Sequence, residues 1–126
     1  AGDWNGSGAH INFSSEFMRD GASIEDLQAM CSELGKYKSE MIAMYGNDNQ
    51  LRLTGKHETA HIDDYSWGVS DRGASIRIPA TTAAKGRGHL EDRRPAANID
   101  PYEAVSAITK YVHIAEKEVA QPSLFV

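Results

Sequence analysis

The sequence predicts an α+β fold of antiparallel-type strands packed on helices, because two kinds of periodicity occupy different parts of the chain. Apolar residues recur every three or four positions at Ile24, Leu27, Met30 with Cys31, and Leu34, and again at Val105, Ile108, Val112 and Ala115. That is the stripe of a helix with one buried face. Polar and apolar residues instead alternate in His10-Ile11-Asn12-Phe13-Ser14 and in Ser75-Ile76-Arg77-Ile78, the period of a half-buried strand. Strands are expected near residues 9–14, 65–70, 75–79 and 89–93, and helices near 24–45 and 101–119. A chain of 126 residues has room for one domain with one modest core.

Asn5-Gly6-Ser7-Gly8 reads as a turn, since spaced glycines supply positive φ and bare backbone N–H groups. The strand that follows puts Ile11 and Phe13 toward the core and His10, Asn12 and Ser14 on the other face. A lone His beside glycines is ordinarily a surface residue; the aligned Asn12 and Ser14 favour a ligand-binding face. Ser23 is a good N-cap for the first helix, and Glu25 and Asp26 suit the positive end of its dipole. Gly35 ends or kinks that helix, and Tyr37, Met41 and Met44 with Tyr45 continue the stripe.

Gly46 to Asn49 is turn-like. Arg52 to Thr59 shows no period and is expected to be a loop, either a plain solvated one or a lid hinged at Gly55 with Glu58 at its tip. Tyr65 to Val69 reads as a short strand leading to Arg72-Gly73-Ala74-Ser75-Ile76-Arg77-Ile78-Pro79. Two guanidinium groups in a strand-like apolar run need anions, which an internal carboxylate or a bound phosphate or carboxylate would supply. Thr81 to Gly88 is small and polar and reads as a mobile connector. In His89-Leu90-Glu91-Asp92-Arg93-Arg94-Pro95, an extended backbone places His89, Glu91 and Arg93 on one face, as an ionic ladder or as a metal ligand beside a substrate clamp. Asp100-Pro101-Tyr102-Glu103 is a helix start, with Asp as N-cap and Pro at the first position.

The charge balance narrows the partners. Thirteen Lys and Arg against 18 Asp and Glu give a net charge of -5, which disfavours nucleic acid and anionic membrane. Six of the seven Arg nevertheless fall between Arg52 and Arg94, a concentration that suits a small anion. The one cysteine, Cys31, sits at a core position, so neither a disulfide nor a cysteine metal site is built within the chain. The absence of a long apolar run predicts a soluble, cytoplasmic protein.

Taken in order, Asp3-Trp4-Asn5-Gly6-Ser7-Gly8-Ala9-His10, Arg52-Leu53-Thr54-Gly55-Lys56-His57-Glu58-Thr59, Asp71-Arg72-Gly73-Ala74-Ser75-Ile76-Arg77-Ile78-Pro79 and Glu91-Asp92-Arg93-Arg94-Pro95 resemble the motifs of glutamine synthetase of the type found in eukaryotes and some bacteria. The resemblance covers nearly the whole chain. It implies that residues 1–126 are the C-terminal part of a glutamine synthetase/guanidino kinase-like catalytic domain, without the N-terminal domain and the first part of the catalytic domain. It implies ATP-dependent ligation of ammonia to L-glutamate through γ-glutamyl phosphate. His10 and Glu91 would ligate Mg²⁺ or Mn²⁺; Asn12, Ser14, Arg72 and Arg77 would contact ATP; Asn5, Gly6, Arg52 and Arg93 would hold glutamate. Glu58 and Arg72 would be catalytic.

The resemblance also implies a homo-oligomer, a stacked ring in the full-length family. His89 stands where that family commonly has Tyr. Glu116-Lys117-Glu118 repeats the spelling of the family's Glu-x-Glu metal motif, but on a helix its carboxylates diverge by about 200°. With the neighbouring strands missing, Ile11, Phe13, Ile76 and Ile78 are expected to form an exposed apolar face. Two other readings stand beside the ligase: a non-catalytic interaction or regulatory module that keeps the family's sequence, and another phosphoryl-transfer enzyme of related fold.

Overall fold

The computed structural model describes residues 8–46, 49, 53–56 and 59–120. Its elements are β1 (Ile11–Phe13), a wide turn of π type (Phe17–Gly21), α1 (Ile24–Leu34), a single 3₁₀ turn (Gly35–Tyr37), α2 (Lys38–Ile42), β2 (Trp67–Val69), β3 (Ile76–Ile78), α3 (Ala80–Lys85), β4 (Leu90–Asp92) and α4 (Pro101–Ala120). The four strands form one sheet in the order β1-β4-β3-β2, and α1 and α4 pack together and onto it. The α+β class is as the periodicities predict.

The two long helices, α1 and α4, start where their sequence says. Ser23 accepts from the Asp26 N–H while Asp26 accepts from the Ser23 N–H, a reciprocal cap. Asp100 accepts from the Tyr102 N–H at 2.9 Å. Leu27, Met30, Cys31 and Leu34 of α1 are buried as expected. In α4 the buried stripe is Ala104, Ala107, Ile108, Tyr111, Val112 and Ala115, and Val105 faces outward. The small Ala104 and Ala107 let α4 approach its neighbours, so the true stripe runs one residue away from the larger Val105. Gly35 passes the chain from α1 into the 3₁₀ turn, and a Cβ there would stand 2.7 Å from the Tyr65 ring.

Three expectations are corrected. The sheet is mixed: β1–β4 and β4–β3 are antiparallel, but β2 and β3 are parallel, Trp67 opposite Ile76 and Val69 opposite Ile78. Parallel neighbours ordinarily need a long crossover. Three-residue strands are short enough for residues 70–75 to double back, with Ser70 in the left-handed region at φ 54° and Asp71 accepting from the Gly73 N–H. The supposed connector at 81–88 contains helix α3, because Ala is a strong helix former and Gly86, at φ 76°, supplies the C-terminal cap. Finally, Ile76 and Ile78 are fully buried, and Ile11 and Phe13 are half-buried against the same core. The cover for that face is carried by this chain's own helices.

Burial has a consequence at high pH. Cys31 is buried, which pushes its thiol from 9.0 to about 12. Burial likewise raises Tyr45, with the Asp92 charge adding to it, and raises Tyr65 against the opposing pull of Arg94. These groups lose protons in the unfolded chain while the folded chain keeps them, so stability falls as pH rises above about 9. Urea unfolding under reducing conditions should show a lower midpoint at pH 10.5 than at pH 8; an equal or higher one contradicts this.

Candidate active site

The site is a consequence of alternation along β4 and the residues just after it. Glu91 and Arg93 project to one side, Asp92 and Arg94 to the other, so Glu-Asp-Arg-Arg becomes two carboxylate–guanidinium pairs on opposite faces of one strand.

On the solvent side the register aligns Asn12, Glu91, Arg77 and Gly68 in one row across four strands. Glu91 is the centre. Its Oε1 accepts from Arg93 at 3.0 Å and lies 3.2 Å from His10 Nδ1, while Oε2 lies 3.5 Å from Arg77. Side-chain exposure rises from 9% at Arg93 and 12% at Glu91 to 25% at Arg77 and 37% at His10, so one rim of the cluster is open to solvent. Among the described residues, the buried Nε of Arg77 has no acceptor. A guanidinium so placed has donor capacity for an incoming anion.

On the core side Asp92 is fully buried and Arg94 nearly so. Asp92 accepts from Arg94 Nε at 2.9 Å, from its terminal nitrogen at 2.8 Å and from the Tyr45 hydroxyl at 2.7 Å. The Arg94 guanidinium also lies 5.5 Å from the centres of the Tyr45 and Tyr65 rings. Burial works against the Arg94 charge, yet the Asp92 carboxylate, and then the two tyrosines, raise its pKa above the ordinary value. The Tyr65 hydroxyl donates to the Cys31 carbonyl. This second pair is structural, and it holds the strand that presents the first.

His10, Arg77, Glu91 and Arg93 are therefore brought together. Asn12 is exposed directly opposite Glu91. Ser14 lies beyond the end of β1, accepts from Arg19 at 2.8 Å and lines a cavity of about 250 Å³ with Phe13, Ile108 and Val112. Arg72 is exposed in the turn before β3, outside the row. Asn5, Gly6, Arg52 and Glu58 lie outside the described residues. Among the described residues, no group of three His, Cys, Asp or Glu is placed to hold a metal. Sequence reasoning missed Tyr45, Asp92 and Arg94; the alternation already applied to Glu91 and Arg93 is the signal that assigns Asp92 and Arg94 to the opposite face.

No family model matches the chain. Among curated proteins, the glutamine synthetase of Fusarium solani subsp. phaseoli is 52% identical over 111 residues, 88% of this chain and 31% of that protein. The glutamine synthetase of Suillus bovinus is 54% identical over 110 residues, 87% of this chain and 31% of its own length. Over most of its length the chain is a homologue of glutamine synthetases. A third glutamine synthetase, cytosolic isozyme 1 of Glycine max, is 51% identical over 107 residues, 85% of this chain and 30% of that protein. The chain thus spans about a third of the length of the curated relatives it matches. Among the described residues, no helix is long and apolar enough to cross a membrane.

Proposed function

We propose that residues 1–126 form the C-terminal part of a glutamine synthetase catalytic domain and carry half of its active site. In this reading the complete, cytoplasmic, ring-forming enzyme ligates ammonia to L-glutamate at the expense of ATP. The observation that carries it is the convergence of His10, Arg77 and Arg93 on Glu91, in a chain that shares half its residues with glutamine synthetases.

Arg93, with Asn5, Gly6 and Arg52, holds glutamate; its planar fork matches a carboxylate, and its link to Glu91 fixes its direction. Asn12 and Ser14 contact the nucleotide. Arg72 and Arg77 lie along the phosphates, and the unused Nε of Arg77 is available to a phosphate oxygen. The glutamate side-chain carboxylate attacks the γ-phosphorus, ADP leaves, and γ-glutamyl phosphate forms. Ammonium gives a proton to Glu58, the resulting ammonia attacks the acyl carbon, and the C–O bond to phosphate breaks as the nitrogen passes its surplus proton to the departing phosphate. Such transfers depend mainly on positioning and neutralisation of charge.

The His10 and Glu91 donors fit a hard divalent cation, since imidazole nitrogen and carboxylate oxygen 3.2 Å apart suit shared ligation of Mg²⁺ or Mn²⁺. When bound, that cation would neutralise charge on the nucleotide phosphates. Two protein ligands leave most of a six-coordinate shell to water or to other polypeptide. Calorimetry of this chain with Mn²⁺ and ADP should therefore show weak binding that His10→Ala and Glu91→Ala each reduce further. Binding unchanged in both variants removes these two residues from the site.

A further inference from the structure

The strand that presents Glu91 and Arg93 is gripped from behind by Tyr45 and Asn49. The Tyr45 hydroxyl donates to Asp92 Oδ2 at 2.7 Å, Asn49 Nδ2 donates to the Arg94 carbonyl at 2.7 Å, and the Ala96 N–H donates to the Tyr45 carbonyl at 2.9 Å. Tyr45 and Asn49 thus hold Asp92, Arg94 and Ala96 at three points. Tyr45 and Asp92 are fully buried and Asn49 is 3% exposed, so these bonds have no competition from bulk water. The approach depends on Gly46, at φ 109°, where a Cβ would stand 2.4 Å from Asn98 Oδ1 and 3.1 Å from Ala96 Cβ.

From this geometry we propose that Tyr45 and Asn49 are positioning residues that set the direction in which Glu91 and Arg93 project toward the site. Successive side chains of an extended chain are fixed on opposite sides of one backbone. A rotation that swings Arg93 must swing Asp92 and Arg94 as well, and Tyr45 and Asn49 oppose it. In front, Arg93 is held by its own N–H to the Ser75 carbonyl at 2.9 Å and by the contact with Glu91 at 3.0 Å. The rear grip falls on the residues immediately before and after Arg93. The functional consequence, though not the positioning itself, rests on reading Arg93 as a glutamate clamp.

The test uses the full chain labelled with ¹⁵N-arginine, with the Arg93 side-chain Nε–Hε resonance assigned through Arg93→Lys. Tyr45→Phe removes only a hydroxyl and keeps the ring beside Arg94; Asn49→Ala removes the other donor. Both should shift or broaden the Arg93 resonance. Leu27→Val, in the helical core, should lower the melting temperature without moving it. If Asn49→Ala does not fold, Tyr45→Phe decides alone. An unmoved Arg93 resonance alongside reduced melting temperatures means the grip is merely structural and overturns the proposal. In enzyme completed by the rest of a synthetase, the same variants should raise KM for glutamate about 5- to 10-fold with kcat within about twofold, the split left by lost ground-state and transition-state binding alike. A moved resonance with unchanged KM supports the positioning and overturns the glutamate role of Arg93.

Discussion

Asp92→Ala should cost this chain about 3–5 kcal/mol of folding stability, the range for breaking a buried ion pair by removing one partner. The variant leaves the Arg94 guanidinium buried without the carboxylate that binds it through two nitrogens, and leaves the Tyr45 hydroxyl without its acceptor. Against a typical total of about 5–15 kcal/mol for a domain, that is enough to unfold a marginal chain. Replacing both partners, as in Asp92→Leu with Arg94→Met, should cost far less, because no charge is then stranded. Urea denaturation of the two single variants and the double variant measures the coupling. A loss below about 1 kcal/mol for Asp92→Ala, the scale of an exposed pair, contradicts the account of the core-side pair.

Arg93→Ala and Arg72→Ala should fail in different ways in a completed enzyme. Arg93 is buried beside Glu91, and the proposed function has it meet a carboxylate that is charged before and during reaction. Its loss should raise KM for glutamate about 10- to 100-fold, the worth of one charged hydrogen-bonding group, with a smaller change in kcat. Arg72 is exposed in the turn before β3, and the proposed function has it follow charge that develops on the transferring phosphoryl group. Its loss should lower kcat about 10²- to 10³-fold, as for removal of a preorganised transition-state donor. Steady-state kinetics with varied glutamate and ATP separate the two; the reverse assignment overturns both roles.

Where a side chain's partner is its near neighbour in sequence, the sequence announced it. Within each strand, period-two alternation set Ile11 and Phe13 opposite His10 and Asn12, and Ile76 and Ile78 opposite Arg77, and the structure keeps that division. The N-cap at Ser23 was equally legible. What failed depended on residues far apart. The direction of β2 is set by how residues 70–75 fold back, including a left-handed serine that no composition rule anticipates. Val105 looked like core because it is apolar, but the neighbouring Ala104 and Ala107 permit closer packing and turn the helix away from it.

The candidate site shows the same limit. Pairing of Arg93 with Glu91, two residues apart, followed from the strand period, whereas the addition of His10 and Arg77 required the order of strands. Tyr45, 47 residues from Asp92 in sequence, carried no local sign of its role. The small alanines and threonines of α3 suggested a loop by their size, although alanine's helix propensity and the glycine cap pointed the other way.

Glutamine formation by the purified chain, measured alone and after addition of a folded polypeptide carrying the rest of a glutamine synthetase, tests the half-site directly. Glutamate, ammonium, ATP and Mg²⁺ should yield no glutamine with either polypeptide alone and sustained synthesis with both, and Glu91→Ala in this chain should abolish the gain. Robust synthesis by the chain alone, or none from the two polypeptides once they are shown to associate, contradicts the account.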